Sequence, residues 1–137
     1  MSAENVAVVR GMYEDFGRGD IPGVLAALDP EIEWIENDGE FMPQRGVHIG
    51  PEAVAENVLG VLPANFDEFA VVPLAFHDAG DVVVVEGRAT GTSKAGGKLD
   101  APVAWVWTVR DGKAVRNANY HDTDAWREAL WAERHAE

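Results

Sequence analysis

The polar and apolar positions of the chain change period several times. Val6, Val9, Tyr13 and Phe16 recur at spacings of three, four and three, which predicts an amphipathic helix over residues 3–17. Ser2 is placed to cap it, Glu4 suits its first turn, and Gly17-Arg18-Gly19-Asp20 ends it. Asp20 and Pro22 open a short second helix with Val24, Leu25 and Leu28 facing inward, closed by Asp29-Pro30. The period then drops to two: Ile32, Trp34 and Glu36 share one face of a strand over residues 31–36, and Glu31, Glu33 and Ile35 share the other. Asn37 to Gly46 reads as a loop, although its Phe41 and Met42 suggest a segment tucked onto a surface or over a pocket.

Gly50-Pro51-Glu52 opens a third helix, with Val54, Val58 and Leu62 four apart and Pro63 as its end. Strands follow over residues 66–76 and 81–93. Pro73 marks the first as an edge or a bulge, and Gly87 and Gly91 mark bends in the second. Lys94 to Lys98 is a hairpin loop. From Ala101 to Asp122 two more strands flank Asp111-Gly112, a strong hairpin signal. In the second arm Val115, Asn117, Asn119 and His121 alternate onto one face, and buried polar groups there need partners. We read this hairpin as one wall of a cavity. A last helix begins at Asp122-Thr123-Asp124, carries Trp126 and Leu130 four apart, and frays after Ala132. Helices gathered on one side of a curved antiparallel or mixed sheet make an α+β fold, with residues 1–137 as a single domain.

Composition narrows the function classes. A formal net charge of −13 disfavours nucleic acid and anionic membrane surfaces. The chain has no cysteine, so disulfides and thiolate metal sites are excluded. Four histidines (His48, His77, His121, His135) are scattered without metal-ligand spacing, and neither a phosphate-binding glycine loop nor a Gly-x-Ser-x-Gly elbow occurs. No metal or other cofactor is expected. No apolar run reaches membrane-spanning length, and MSAENVAVVRGMYEDF lacks the apolar core of a secretion signal, so a cytoplasmic location is expected.

Five stretches follow one another as in the SnoaL-like group of the nuclear transport factor two / ketosteroid isomerase superfamily. They are Phe16-Gly17-Arg18-Gly19-Asp20-Ile21, Leu28-Asp29-Pro30-Glu31-Ile32-Glu33-Trp34, Gly46 to Val54, Trp107 to Lys113, and Tyr120-His121-Asp122-Thr123. The resemblance implies a cone of curved sheet closed by three or four helices, an apolar pocket inside, and a homodimer packed through the sheets. It also places Glu36 where the isomerases carry an aspartate general base. Their oxyanion hole uses a tyrosine of the first helix and a buried acid on the strand matching residues 101–109. Here Tyr13 stands one residue past the tyrosine's place, which Met12 takes, and that strand holds Trp105 and Trp107 but no acid. Polyketide cyclases of the group use an acid near Asp122.

Each candidate has two readings. Glu36 is a base in an apolar pocket, suited to proton transfer next to a carbonyl, or a strand-end acid in solvent. His121 is a general acid or base, or a satisfied core histidine. Asp122 is an acid/base group or the cap of the last helix. His48 lines the cavity mouth or the surface. Trp34, Trp105 and Trp107 form a flat wall for a ring-shaped ligand or fill a core. Asn119 can donate to a ligand carbonyl, and Met12, Tyr13, Phe16, Phe41, Val58 and Leu62 complete the expected lining. The expectation is cofactor-free isomerisation, cyclisation or dehydration of a small apolar carbonyl compound. Glu36 would take the proton and His121 would stabilise the enolate, helped by Asn119 or Tyr13. The alternative is a module that binds a hydrophobic ligand or dimerises without catalysis.

Overall fold

The computed structural model describes residues 2–36 and 41–131, with Ser2 by its backbone alone. The Ser2 cap, the loop positions 37–40, His135 and the fraying tail therefore lie outside the described residues. Helix α1 (Ser2–Gly17) follows the predicted period and buries Val9 and Met12. Removing each of these side chains from water is worth about 1.5–3 kcal/mol. Asp20 caps α2 (Ile21–Ala26) as expected, its carboxylate accepting from the Gly23 amide at 3.0 Å.

The second helix is shorter than its pattern implies. Leu28 is buried, but it opens strand β1 (Leu28–Glu36), so Asp29-Pro30 lies in the strand rather than ending the helix. Pro30 is tolerated because the register of β1 shifts between Leu28 and Glu33, where ladder donors are not needed. The face assignment holds: Ile32, Trp34 and Glu36 are buried, Glu31 and Glu33 exposed.

A further strand, β2 (Gly46–Ile49), precedes the third helix, where the sequence reading had none. Its four residues exist as a strand through antiparallel pairing with β1, from Glu33↔Ile49 to Glu36↔Gly46. The third helix is broken into α3 (Pro51–Val54), a π-turn (Ala55–Leu59) and α4 (Val61–Asn65). Pro63 does not end it. It sits in the first turn after the π-turn, where an amide donor is dispensable.

The described strands form one six-stranded sheet in the order β2-β1-β6-β5-β4-β3, completed by β3 (Phe66–Ala79), β4 (Val82–Ser93), β5 (Lys98–Arg110) and β6 (Lys113–His121). β1 and β6 run parallel and every other pair is antiparallel. β3 is an edge strand with an irregularity between Pro73 and Ala75, as Pro73 indicated. Gly87 lets strands β3 and β4 approach: a Cβ there would lie 2.2 Å from the Val72 carbonyl oxygen. The Asp111-Gly112 turn takes positive φ at both residues, 52° and 76°, the type I′ hairpin geometry. A bulge after Thr108 moves Val115 out of the alternation, so the buried face of β6 is Asn117, Asn119 and the His121 side chain, without Val115.

Helix α1 packs against β3 to β6, and α5 (Thr123–Trp131) against β4 and β5. Asn5 ties α1 to the β3–β4 turn through the Gly80 carbonyl at 3.0 Å, and Ser93 ties β4 to α5 through the Ala129 carbonyl at 2.6 Å. The helices thus lie over the curved sheet of an α+β fold. Among the described residues no helix is long and apolar enough to cross a membrane.

Candidate active site

The parallel pairing of β1 with β6 brings the carboxyl ends of both strands to the same place. Trp34 pairs with Asn117 and Ile35 with Ala118, which sets Glu36 beside Asn119 and close to His121. Strand β5 backs this row, with Trp107 opposite Asn117, Trp105 opposite Asn119 and Val103 opposite His121. Facing them across the interior are Met12, Tyr13 and Phe16 of α1, Val58 of the π-turn, Leu62 of α4, and Trp126 of α5. The space between them is a cavity of about 80 Å³. One water needs only about 10–15 Å³ on that measure, so this is a ligand-sized hollow rather than a packing defect.

Glu36 and His121 meet at its wall. His121 Nε2 lies 3.2 Å from Glu36 Oε1, and the two side chains are 5% and 3% exposed. The other carboxyl oxygen, Oε2, accepts the Trp34 indole N–H at 2.7 Å. An indole nitrogen can only donate, so this contact fixes both the carboxyl plane and the direction of Oε1. The pair is expected from the sequence as two separate groups acting on a ligand. The geometry joins them in one hydrogen bond, across which a single proton can be held or passed.

Aromatic rings form the rest of the wall. Trp34 meets Trp107 edge to face at 5.4 Å, and Tyr13 meets Trp105 at 5.2 Å. Tyr13 points into the cavity, as does Met12, so the one-residue offset on the first helix removes neither. The Tyr13 hydroxyl accepts the Trp107 indole N–H at 3.0 Å and keeps its own proton to donate. Burial pushes this hydroxyl well above the usual phenol range, and the bond from Trp107 opposes that shift only in part. It is a neutral donor at physiological pH.

Several expected site residues are elsewhere or otherwise engaged. Asp122 is exposed and caps α5, its Oδ1 accepting the Ala125 amide at 3.2 Å, so it does not share the cavity with Glu36 and His121. Successive strand residues point to opposite faces, and that sends Asp122 outward. Phe41 lines a separate hollow with Asn65, Lys94 and Leu130 and does not line the cavity. His48 sits on the edge strand β2 and does not line it either; its Nε2 bonds the Gln44 carbonyl oxygen at 2.8 Å. Asn119 does line the cavity, but both protons of its Nδ2 are engaged, by the Ile35 carbonyl at 3.0 Å and Asn117 Oδ1 at 2.5 Å. It therefore braces β6 against β1 and has no proton for a ligand carbonyl.

The cavity also has walls that the sequence reading missed: Val24, Gln44, Leu59, Phe69, Val71 and Trp126. For Gln44 the available signal was the apolar pair in its loop, since Met42 is fully buried and anchors the segment inward. For Trp126 it was the helical period of α5. Among the described residues no three histidine or acidic side chains converge as a metal site would.

A family model for the SnoaL-like domain matches residues 9–117. Among solved structures, an NTF2-like protein of unknown function from Burkholderia pseudomallei is 31% identical, covers 93% of this chain and 97% of its own, and superposes with a TM-score of 0.86. TerC, co-crystallised with polyporic acid, is 30% identical over 93% of this chain and 98% of its own, with a TM-score of 0.85. A SnoaL-like polyketide cyclase-type structure from Jannaschia sp. CCS1 is 24% identical over 96% and 94%, with a TM-score of 0.80, and shares the fold. No curated protein sequence matches. With a matched stretch spanning most of the chain and a helix-covered curved sheet around a cavity, the protein belongs to the SnoaL-like domain family of the NTF2-like fold.

Proposed function

We propose that this protein binds a small, largely apolar cyclic carbonyl compound and catalyses proton transfer on it without a cofactor, as an isomerase, cyclase or dehydratase. The observation that carries the reading is the buried Glu36–His121 pair at 3.2 Å on the wall of an aromatic cavity. Glu36 takes a proton from the carbon next to the carbonyl. His121 stabilises the developing enolate, helped by the Tyr13 hydroxyl, and relays the proton for its return. Each oriented acid/base group contributes about 10²–10⁴-fold to such a step.

A panel of unsaturated cyclic ketones, followed by the gain or loss of conjugated-enone absorbance, tests this. Glu36→Gln and His121→Ala should each lower turnover by about 10²–10⁴-fold while ligand binding persists. Full turnover in both variants would remove the mechanism. One observation favours a second reading: both Glu36 oxygens are already engaged, by Trp34 and His121, as in a pair that only shapes a binding pocket. In that case wild-type protein binds members of the panel, or polyporic acid, the compound crystallised with TerC, with no turnover of any of them.

We also propose a homodimer packed through the outer sheet face. Tyr120 (58% exposed) and Leu74 (67% exposed) are apolar groups left in water on β6 and β3. Sedimentation of a single species of monomer mass at micromolar concentration would exclude it.

A further inference from the structure

Two buried polar atoms of cavity-lining residues have no hydrogen-bond partner among the described residues: Trp126 Nε1 and Gln44 Oε1. Their residues are 1% and 2% exposed. Folded proteins leave few buried polar atoms in this state, because each costs about 1–3 kcal/mol. The two atoms are also complementary in kind. An indole nitrogen can only donate and an amide oxygen can only accept. Neither is needed to hold its own side chain. Trp126 is fixed by ring contacts to Phe66 at 5.6 Å and His121 at 5.0 Å, and the Gln44 segment by the His48 bond to its backbone.

We propose that Trp126 and Gln44 are the polar handles that select the ligand, which is a flat, mainly apolar cyclic ketone bearing a hydroxyl group at a separate position. A ligand oxygen accepts from Trp126 Nε1, next to His121, and the ligand hydroxyl donates to Gln44 Oε1. This rests on the reading of the cavity as a ligand site, and adds to it which functional groups the ligand carries. A ligand that supplies both hydrogen bonds gains affinity that a bare hydrocarbon ring cannot, even though the wall is mostly aromatic.

Three probes of one shape separate the contributions: 6-hydroxy-1-tetralone carries both groups, 1-tetralone only the carbonyl, and tetralin neither. Their dissociation constants are measured on the intact protein by NMR titration, with the indole N–H resonances assigned. Wild-type protein should rank them in that order, with about a threefold to tenfold step for each group. Trp126→Phe should weaken both ketones by such a step and leave tetralin unchanged. Gln44→Met should weaken the hydroxyketone alone. The Trp126 N–H resonance of the wild-type protein should move downfield with 1-tetralone and not with tetralin, a readout that requires no variant to fold. Equal binding of all three probes with no movement of that resonance would overturn the assignment of the handles and leave the cavity as a ligand site. Failure of all three to bind would overturn the ligand-site reading together with the handles.

Discussion

Glu36 holds two buried partners, the Trp34 indole and the His121 ring, so its truncation and its neutralisation should have different consequences. In Glu36→Ala, Trp34 Nε1 loses its 2.7 Å acceptor and His121 Nε2 loses its 3.2 Å partner. Both groups are buried in the folded protein. The orphaned indole N–H alone costs about 1–3 kcal/mol. Water entering the cavity beside it can recover part of this loss, so the lower half of the range is expected, about 1–2 kcal/mol. Glu36→Gln keeps an oxygen for Trp34 and offers an amide N–H to His121 Nε2. Its cost should be about 1 kcal/mol or less, although it removes the carboxylate needed for proton abstraction. Urea unfolding, followed by both circular dichroism and tryptophan fluorescence, measures the two losses from midpoints at constant slope. If Gln destabilises as much as Ala, the charge and not the hydrogen bonding holds the pair. If Ala costs less than about 0.5 kcal/mol, Trp34 and His121 are not buried partners of Glu36 and the geometry argued for the site is wrong.

Gly87→Ala places a Cβ 2.2 Å from the Val72 carbonyl oxygen and 3.0 Å from the Trp105 ring, so thermal unfolding should show a loss of about 1–3 kcal/mol; an unchanged midpoint would mean that β3 and β4 do not approach there. Tyr13, its phenol raised by burial, should ionise later than an ordinary tyrosine, seen as a delayed phenolate absorbance in alkaline titration of the wild type that is absent from Tyr13→Phe. The sign follows: because the folded value lies above the unfolded one, this group's contribution to stability is whole below about pH 10 and is lost as pH rises through the folded value. Asp122→Ala should cost about 1 kcal/mol of stability through the lost helix cap, whereas Asp122→Asn should retain both stability and any turnover; a large loss of turnover in the Asn variant would return Asp122 to the reacting groups.

The readings that came directly from the chain are those governed by neighbours in sequence. Alternation placed Ile32, Trp34 and Glu36 on one face of β1, helical period placed Val9, and Asp111-Gly112 announced a turn that needs positive φ twice. In each case the physical cause spans a few residues, so the pattern is local. Where a distant partner supplies the cause, the pattern was silent. β2 is a strand because β1 offers it a ladder, Leu28 belongs to β1 although it also fits the period of α2, and Val115 leaves the buried face because of a bulge opposite Val109. The ordered resemblance indicated the cone and its pocket, but it could not say which polar groups face one another.

That was decided by tertiary structure. Glu36 and His121 are 85 positions apart and touch because β1 and β6 run parallel and end together. The same register engages both Asn119 protons and sends Asp122 outward to a helix cap. Gln44 comes from the loop after β1 and Trp126 from the last helix, and no periodicity marks their unpartnered atoms. Local propensity thus determined which side of each element is apolar. The meeting of the polar groups depended on strand order and direction, which are set by the free energy of the whole packed sheet and not by any single segment.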